Sequence, residues 1–283
     1  MLLLKTVADY EAWRSSGSRK GRTIGFAPTM GALHDGHLEL VRMARRAGDT
    51  AVVSIFVNPT QFNDPKDLEK YPRTPGRDIE LLLSAGCEVL FMPGVEEVYP
   101  PGRDLRLQID FGQLDKVMEG AFRPGHFAGM ATVVNRLLDI VRPARLYMGQ
   151  KDFQQLSIVR DMLRQLKSPI ELVMCPTVRE ADGLAMSSRN MRLTPELRQT
   201  APVIHATLEA ASAAFRQQPA ATVCENALKR LAEAGLKPEY FELVDGYSLL
   251  PVAHWSDASF VVACTAAWAG DVRLIDNLIV KTS

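Results

Sequence analysis

Apolar runs alternate with amphipathic stretches through the first two thirds of the chain. The run "TIGFAPT" at 23 to 29 is typical of a buried strand, and the following "HLELVRMARRAG" is typical of a helix that Gly48 closes. Further apolar runs lie at 51 to 57, 89 to 93, 144 to 149 and 170 to 177, and helical patterns lie at 74 to 85, 129 to 142 and 153 to 166. Thr74, Pro75 and Gly86 are end signals for the helix at 74 to 85. Continuous apolar strands separated by helices predict a parallel sheet with helices on both faces.

The pattern changes after about residue 178. Two Ala-rich helical stretches, at about 195 to 216 and 220 to 235, precede the β-type runs "EYFELVD", "SFVVACTAAWA" and "VRLIDNLIV", which turn-length loops would join. This order predicts a small α+β domain with an antiparallel sheet. We therefore expect a Rossmann-like α/β domain over residues 1–177 and a smaller C-terminal α+β domain over residues 178–283.

Composition narrows the class of protein. Lys+Arg and Asp+Glu both number 33 among 283 residues, so no net field favours nucleic acid or an anionic membrane. The four cysteines stand far apart and are expected to be reduced core residues. The apolar start "MLLL" is too short for a signal sequence, and no run approaches the roughly 20 apolar residues of a membrane span. We expect a cytoplasmic protein that binds neither nucleic acid nor membrane.

Ligands of a parallel sheet bind outside the carboxyl ends of its strands. The loops that follow predicted strands are therefore the candidate site, at 28 to 37, 58 to 73, 149 to 155 and 178 to 190.

The first of these loops, "PTMGALHDGH", places His34 and His37 where a strand ends and a helix begins. Unpaired backbone N–H groups and the positive end of the helix dipole favour an anion there, and both rings can donate into one pocket. A surface turn that Asp35 caps is the alternative. Gly31 and Gly36 have the spacing of P-loop glycines, but His37 and the following leucine stand where Lys-Ser/Thr would be needed, which excludes a Walker A site.

Zinc is a second possibility for a His-x-x-His turn. It needs a third ligand, and His126 in "RPGHFAG" is the one other histidine in a comparably glycine-rich loop. No H-E-x-x-H motif is present.

The segment "GQKDFQQL" at 149 to 156 follows another predicted strand. Gly149 permits close backbone approach, Lys151 offers a cation, and Gln154 and Gln155 offer amide groups at a helix start. The alternative is a solvated helix start.

Two further loops carry polar groups suited to a small ligand. In "VREADGLAMSSRN", residues 187–189 combine two hydroxyls with a guanidinium, which suits a phosphate clamp, although an ordinary linker is the alternative. In "FVNPTQF", Asn58 and Gln61 are neutral groups able to orient a polar substrate. The loops "EEVYPPGR" and "MEGAFRPGHF" could form a lid.

Taken in order, these segments resemble the pantothenate synthetases (pantoate:β-alanine ligases), a family of the nucleotidyltransferase superfamily marked by an H-x-G-H turn and a K-M-S-K-S-like loop. The matching segments are "PTMGALHDGH", "SIFVNPTQF", "YPRTPGRD", "RPGHFAGMATVV", "GQKDFQQL" and "PTVREADGLAMSSRN". The resemblance is strong to about residue 195 and looser beyond it. The family's "KDYQQ" is "KDFQQ" here, so Phe153 keeps the ring and loses a hydroxyl.

The resemblance implies a two-step reaction. The carboxylate of (R)-pantoate attacks the α-phosphorus of ATP and releases pyrophosphate, and the amine of β-alanine then attacks the pantoyl adenylate and releases AMP. ATP is implied as a substrate, with Mg²⁺ on its β and γ phosphates. The resemblance also implies a homodimer formed through the N-terminal domain. We further expect the C-terminal domain, tethered through the loop at 178 to 190, to act as a hinged lid.

The resemblance also assigns roles to particular residues. His37 is the proton donor toward the phosphates, and the implied catalytic set is His34, His37, Lys151, Ser187, Ser188 and Arg189. The implied ATP contacts are Met30, Gly31, Ala32, Leu33, His34, Asp35, Gly36, His37, Gly149, Gln150, Lys151, Asp152, Val178, Met186, Ser187, Ser188 and Arg189. Pantoate is held by Gln61 and Gln155, with Asn58, Tyr71, Arg123 and His126 as weaker candidates for the substrate pocket and its lid. No protein residue is implied as a metal ligand.

Three other functions stay open. A related nucleotidyltransferase would join ATP to a phosphorylated acceptor, which the neutral Gln61 and Gln155 disfavour. A zinc hydrolase would use His34, His37 and His126. A noncatalytic nucleotide-binding protein would bind ATP without turnover.

Overall fold

The computed structural model describes residues 1–16, 21–61, 68–69 and 71–282. The chain forms two compact units. One comprises Met1–Phe111, Phe122–Gly149 and Ile158–Pro176, and the other comprises Gly112–Ala121, Gln150–Ser157 and Thr177–Ser283. We call them the parallel-sheet unit and the antiparallel-sheet unit. Two short segments, 112–121 and 150–157, thus belong with the C-terminal part of the chain.

A six-stranded sheet forms the parallel-sheet unit, in the order β1-β4-β3-β2-β5-β6, with every neighbouring pair parallel. The strands are β1 (Leu2–Leu4), β2 (Ile24–Thr29), β3 (Thr50–Ile55), β4 (Val89–Phe91), β5 (Arg145–Gly149) and β6 (Glu171–Cys175). The central strands are almost wholly buried, as the continuous apolar runs predicted. The predicted α/β fold class is therefore confirmed.

The order of the strands reverses at β2, which has β3 on one side and β5 on the other. β2 pairs with β3 along all six residues, but its described pairing with β5 stops after Gly25–Arg145 and Phe26–Leu146. The carboxyl halves of β2 and β5 are thus not joined by ladder pairs. This is the topological switch point at which doubly wound sheets bind ligands.

The described helices follow the predicted order with some additions. They are Val7–Ser15, Asp35–Arg46, Pro75–Ala85, Val95–Val98, Glu119–Phe122, His126–Val141, Phe153–Gln165, Pro195–Thr200, Val203–Ala214 and Ala220–Glu233. Short 3-10 turns lie at Pro59–Gln61, Gln150–Asp152 and Ser188–Arg192. The end signals at 74 to 86 are confirmed, since Pro75 is the first helical residue and Gly86 is left-handed at φ 77°.

The antiparallel-sheet unit contains three strands in the order β7-β8-β9. They are β7 (Lys237–Asp245), β8 (Val261–Ala269) and β9 (Val272–Lys281), and both pairs are antiparallel. Helices Val203–Ala214 and Ala220–Glu233 contribute apolar residues such as Leu208, Phe215 and Leu231 to one core with this sheet. The predicted α+β character of this part of the chain is confirmed.

Two local predictions were wrong, and one strand was not predicted. The helix at 195 to 216 is two helices, because Pro202 lacks an N–H and its ring interferes with a continuing helix. β7 and β8 are connected by residues 246–260, which is longer than a turn. The N-terminal Leu2–Leu4, taken only as a short apolar start, is the edge strand β1.

Cys87, Cys175 and Cys264 are buried, as predicted for core residues, whereas Cys224 is half-buried. In the part of the chain that the structure describes, no helix has the length and apolar character needed to cross a membrane.

Candidate active site

The two histidines of the first candidate loop cap the helix Asp35–Arg46. His34 is the N-cap residue in extended conformation, and its Nδ1 accepts a hydrogen bond from the N–H of Gly36 at 3.2 Å. The N–H of His34 donates in turn to Nδ1 of His37 at 3.3 Å. The ring centroids lie 4.1 Å apart. This is a capping box built from two imidazoles, and it holds both rings at the carboxyl end of β2.

The capping bonds also select the tautomer of each ring. A ring nitrogen that accepts a hydrogen bond carries no proton, so the neutral forms of His34 and His37 carry their proton on Nε2. Each neutral imidazole therefore has its one N–H donor on Nε2. A ligand anion at this helix start would meet two ring N–H donors as well as the positive end of the helix dipole.

A buried carboxylate shapes the turn before the histidines. Asp78 is 1% exposed, and its two oxygens accept from the N–H groups of Ala32 at 3.0 Å and Leu33 at 2.8 Å. Thr74 Oγ1 donates to the same carboxylate at 3.0 Å. Ala32 has φ 49°, a left-handed conformation that a residue with a side chain adopts only when its surroundings hold it. Asp78 thus fixes a strained turn.

Asp78 is not among the site residues predicted from the sequence. It stands in "YPRTPGRD", four residues after Thr74, the N-cap residue of its helix. Ala32 and Leu33 are themselves buried, with their N–H groups bonded to Asp78. Contacts of ATP with these two residues stay a prediction.

Asn58 organises the loop after β3. Its side chain is buried, donates to the carbonyl of Gly129 at 3.4 Å, and accepts from Tyr99 Oη and Thr60 Oγ1, both at 3.1 Å. Burial raises the pKa of Tyr99, which keeps its hydroxyl protonated and able to donate. A contact of Asn58 with substrate stays a prediction, since both ends of its amide already bond within the protein.

The same loop packs closely on the helix His126–Val141. A Cβ on Gly129 would lie 2.5 Å from the carbonyl oxygen of Thr60, so only glycine allows this approach. The next residue along the loop, Gln61, has its amide Nε2 3.5 Å from Met30 Sδ. Its carbonyl oxygen is 3.1 Å from Nδ1 of the buried His126. The structure therefore brings Met30, Asn58, Gln61 and His126 together within the parallel-sheet unit.

The remaining pocket candidates of this unit are less enclosed. Tyr71 and Arg123 are half-buried, and the carbonyl of Arg123 accepts from the N–H of His126 at 3.1 Å. Much of the predicted loop at 58 to 73, including residues 62–67 and 70, lies outside the described residues.

The antiparallel-sheet unit holds the segment that follows β5. Gln150 Nε2 donates to Oδ1 of Asn277 at 3.1 Å, and Nδ2 of Asn277 donates to the carbonyls of Gln150 and Lys151, both at 2.9 Å. The Lys151 side chain is carried by this anchored turn. The next two glutamines have different surroundings, since Gln154 is buried and Gln155 is half-buried.

Gln154 bonds to the segment 112–121 at both ends of its amide. Its Nε2 donates to the carbonyls of Leu114 at 2.7 Å and Val117 at 2.8 Å, and its Oε1 accepts from the N–H of Glu119 at 3.0 Å. Glu119 is itself paired with Arg273 and accepts from Tyr240 Oη at 2.8 Å. Gln154 therefore anchors a loop, and Gln155 is the glutamine of the pair left as a candidate for substrate.

The loop 178–190 begins as a small hairpin. Glu180 and Leu184 are joined by a backbone hydrogen bond of 2.8 Å, and the N–H of Met186 donates to the carbonyl of Val178 at 3.0 Å. Ser187 then caps the 3-10 turn Ser188–Arg192, its Oγ accepting from the N–H of Arg189 at 3.3 Å. The predicted clamp of residues 187–189 thus lies on one ordered turn.

No group of three or more His, Cys, Asp or Glu side chains among the described residues is placed to hold a metal ion. The described part of the chain therefore offers no ligand set for the zinc alternative.

The fold and the capped histidine turn are together typical of the class of α/β proteins that bind an anionic ligand where the strand order of a parallel sheet reverses. Comparison with known proteins makes this class specific. The family model described as pantoate-beta-alanine ligase matches residues 2–279. The chain belongs to the pantoate-β-alanine ligase family, and it is accordingly a carbon–nitrogen ligase.

Curated relatives and solved structures agree over the full length. Pantothenate synthetase of Bacteroides fragilis is 48% identical with 100% of each chain covered, and that of Pseudomonas putida is 46% identical over 98% of this chain and 97% of its own. The crystal structure of pantothenate synthetase from Thermus thermophilus aligns with a TM-score of 0.92 at 44% identity, covering 99% of this chain and 100% of that one. Pantoate-beta-alanine ligase from Francisella tularensis, solved in complex with beta-gamma ATP and beta-alanine, aligns with a TM-score of 0.82 at 35% identity, covering 100% and 99%.

Proposed function

We propose that this chain condenses (R)-pantoate with β-alanine through a pantoyl-adenylate intermediate. In the first step a pantoate carboxylate oxygen bonds to the α-phosphorus of ATP, the bond from that phosphorus to the bridging oxygen breaks, and pyrophosphate leaves. In the second step the β-alanine amine attacks the pantoyl carbonyl carbon and loses a proton, and AMP leaves. The adenylate is needed because a free carboxylate is a poor acyl electrophile. The predicted site residues and their family support this sequence of steps.

The observation that carries the proposal is the imidazole capping box at the carboxyl end of β2. Phosphoryl transfer depends mainly on positioning and charge stabilisation. Two Nε2 donors at a helix start supply both without a protein nucleophile, and we assign the proton-donor role toward the phosphates to His37. The neighbouring strand β5 leads directly into the turn that carries Lys151.

We assign the remaining roles by the family pattern. Lys151 and residues 187–189 hold the triphosphate, and residues 30–37, 149–152, Val178 and Met186 complete the ATP contacts. Gln61 and Gln155 hold pantoate by its hydroxyls and carboxylate. Asn58, Tyr71, Arg123 and His126 are the weaker candidates around it.

Mg²⁺ belongs to the proposal as an ion that enters with ATP. When bound it neutralises charge on the β and γ phosphates. The described residues hold no cluster of three carboxylates or imidazoles, which fits an ion held mainly by phosphate oxygens and water.

Three properties complete the proposal. The chain works in the cytoplasm, forms a homodimer through its N-terminal domain, and uses residues 178–283 as a lid that keeps water from the labile adenylate. Edge strand β1 supports the dimer, since Leu2 and Leu3 are 49% and 42% exposed there. Sedimentation tests the dimer, and solution scattering with and without ATP tests the lid, because identical profiles would contradict domain closure.

The decisive experiment supplies ATP and Mg²⁺ with pantoate and β-alanine together or separately. We expect pantoate alone to support ATP–pyrophosphate exchange, both acids to give AMP and pantothenate in equal amounts, and β-alanine alone to give neither. Exchange that requires a phosphorylated acceptor would identify the related nucleotidyltransferase instead. Binding of ATP without either reaction would identify a noncatalytic protein, and zinc in protein purified without chelator would favour the hydrolase.

A further inference from the structure

Strand β9 contains two adjacent polar residues that have no assigned role in the reaction. Asp276 and Asn277 are 4% and 2% exposed in the otherwise mostly apolar run "VRLIDNLIV". Burying a carboxylate and an amide is unfavourable unless both find hydrogen-bond partners. Their hydrogen-bond partners therefore indicate which segments these two residues hold in place.

Every described hydrogen bond of the Asn277 side-chain amide goes to the turn after β5. Its Nδ2 donates to the carbonyls of Gln150 and Lys151, both at 2.9 Å, and its Oδ1 accepts from Gln150 Nε2 at 3.1 Å. Three hydrogen bonds from one buried side chain fix the backbone on which Lys151 stands. They also hold two carbonyl oxygens, which would repel a phosphate, on an amide donor.

Asp276 bonds to the start of the loop 178–190. Its carboxylate accepts a two-pronged pair of hydrogen bonds from the Arg179 guanidinium, at 2.6 and 3.1 Å, and also accepts from the N–H of Asn277 at 2.8 Å. Both side chains of the ion pair are largely buried, at 18% and 3% exposure. Such two-pronged pairs are among the strongest and most directional contacts in proteins.

Arg179 carries this connection into the hairpin. Its guanidinium also donates to the carbonyls of Gly183 at 3.1 Å and Asn277 at 3.3 Å, and the hairpin closes at Met186, next to the turn that Ser187 caps. Two neighbouring residues of one strand thus hold both segments of this unit to which ATP contacts are assigned.

We propose that Asp276 and Asn277 are positioning residues for ATP, which set the spacing between the Lys151 turn and the Ser187–Arg189 clamp. The inference rests on the proposed ATP contacts of those two segments. The antiparallel sheet would then contribute to adenylate formation by positioning ATP-binding groups, in addition to its proposed role as a lid. Such positioning matters because displacement of a binding group by about 1 Å can lower a rate by up to about 100-fold.

The test is pantoate-dependent ATP–pyrophosphate exchange with the full chain carrying Asn277→Ala. We expect the KM for ATP to rise on the order of tenfold while the KM for pantoate stays within about twofold of wild type. A general loss of folding would not separate the two constants. The matched control is Thr265→Val, which removes a buried hydroxyl that donates to the carbonyl of Tyr240 at 2.8 Å, on β8 opposite Asp276, and should leave the KM for ATP unchanged.

Asp276→Asn is the second variant. If Asn277→Ala does not fold, Asp276→Asn tests the positioning role by itself. It keeps the shape of the side chain and removes its charge, so we expect a smaller rise in the KM for ATP, about three- to fivefold. In a double variant with Arg179→Lys, the rises in the KM for ATP caused by the two substitutions should not multiply, because both substitutions act on the Arg179–Asp276 ion pair. Effects that multiply would contradict the pathway through Arg179.

Lys151→Ala separates this inference from the proposed function. If Lys151→Ala abolishes exchange while Asn277→Ala and Asp276→Asn keep the wild-type KM for ATP, the positioning role is overturned and the proposed ATP contact stands. If Lys151→Ala exchanges at the wild-type rate, the proposed contact itself is wrong.

Discussion

Two candidate ATP-binding segments, the histidine turn after β2 and the turn at 150–152 after β5, are held by buried side chains of opposite hydrogen-bonding character. Asp78 supports the first with a buried carboxylate that accepts from two backbone N–H groups. Asn277 supports the second with a buried amide that donates to two backbone carbonyls. In each case one side chain, far away in sequence, satisfies consecutive peptide groups of a loop.

The difference between these supports follows from what each loop has to present. The turn at 31–33 precedes a helix whose own N–H groups and two imidazoles offer donors to an anion, so Asp78 can occupy neighbouring N–H groups without removing those donors. The turn at 150–152 carries Lys151, the phosphate contact that we propose, and carbonyl groups are unfavourable near phosphate. An acceptor therefore supports the first loop and a donor supports the second.

The largest effect is expected at the histidine itself. His37→Ala should lower pantoate-dependent pyrophosphate release by about 10²- to 10⁴-fold, because it removes the proposed proton donor. Exchange of labelled pyrophosphate measures this step directly.

His37→Gln separates the ring from the cap. Glutamine at the third helical position can accept from the N–H of the N-cap residue, as in an ordinary capping box. We expect His37→Gln to slow pyrophosphate release as much as His37→Ala does. Of the two variants, only His37→Ala should also lose about 0.5–2 kcal/mol in free energy of unfolding. A glutamine variant with wild-type exchange would show that His37 acts only as a cap.

The next effect concerns Asp78 and tests the first support. Asp78→Asn replaces one acceptor oxygen with an NH₂ group that faces a backbone N–H, and we expect a loss of about 2–4 kcal/mol in unfolding free energy together with slower exchange. Thr74→Val is the control, since it removes one donor to the same carboxylate and loses no side-chain cap. It should cost about 1 kcal/mol. Equal losses in the two variants would contradict the role given to the backbone bonds.

A smaller effect distinguishes the two adjacent glutamines of the antiparallel-sheet unit. Gln155→Ala should raise the KM for pantoate several-fold, about 1 kcal/mol of binding, and leave the unfolding free energy unchanged. Gln154→Ala should do the reverse, with a loss of about 1–3 kcal/mol in stability, since it leaves Leu114, Val117 and Glu119 without their partner. Urea unfolding measures the change in stability, and exchange rates over a range of pantoate concentrations measure the change in the KM for pantoate. An unchanged pantoate KM in Gln155→Ala would remove it from the substrate site.

Local signals in the sequence were sufficient for most of the fold. The buried strand at 23 to 29, the helix after it, and the helix bounded by Pro75 and Gly86 follow from apolar periodicity and end signals that lie within a few residues of one another. The position of His34 and His37 could be predicted for the same reason, because a strand end, a glycine-framed turn and a helix start are adjacent in the chain. That His34 rather than Asp35 caps the helix was not predicted.

The supports of the site could not be predicted in this way. Asp78 meets Ala32 from 46 residues away, and Asn277 meets Gln150 from 127 residues away, so no local pattern links them. Nor could periodicity identify Gln154 as buried and Gln155 as half-buried, because their difference depends on the segment 112–121. Edge strand β1 was missed because three exposed or half-buried leucines show no strand periodicity.

The smallest effect compares two acidic residues of the antiparallel sheet. Asp276 has a guanidinium partner, whereas burial alone raises the pKa of Glu242 on β7. A carboxyl group whose pKa is raised by folding contributes stability below its unfolded pKa, and that contribution is lost as the pH rises through the folded pKa. Glu242→Gln should therefore raise the melting temperature by about one or two degrees near pH 7.5, and the gain should disappear toward about pH 4.5. Glu225→Gln on an exposed helix position is the control and should show no such trend. A gain that grows on acidification would mean that the ionised form of Glu242 is the one that the fold stabilises.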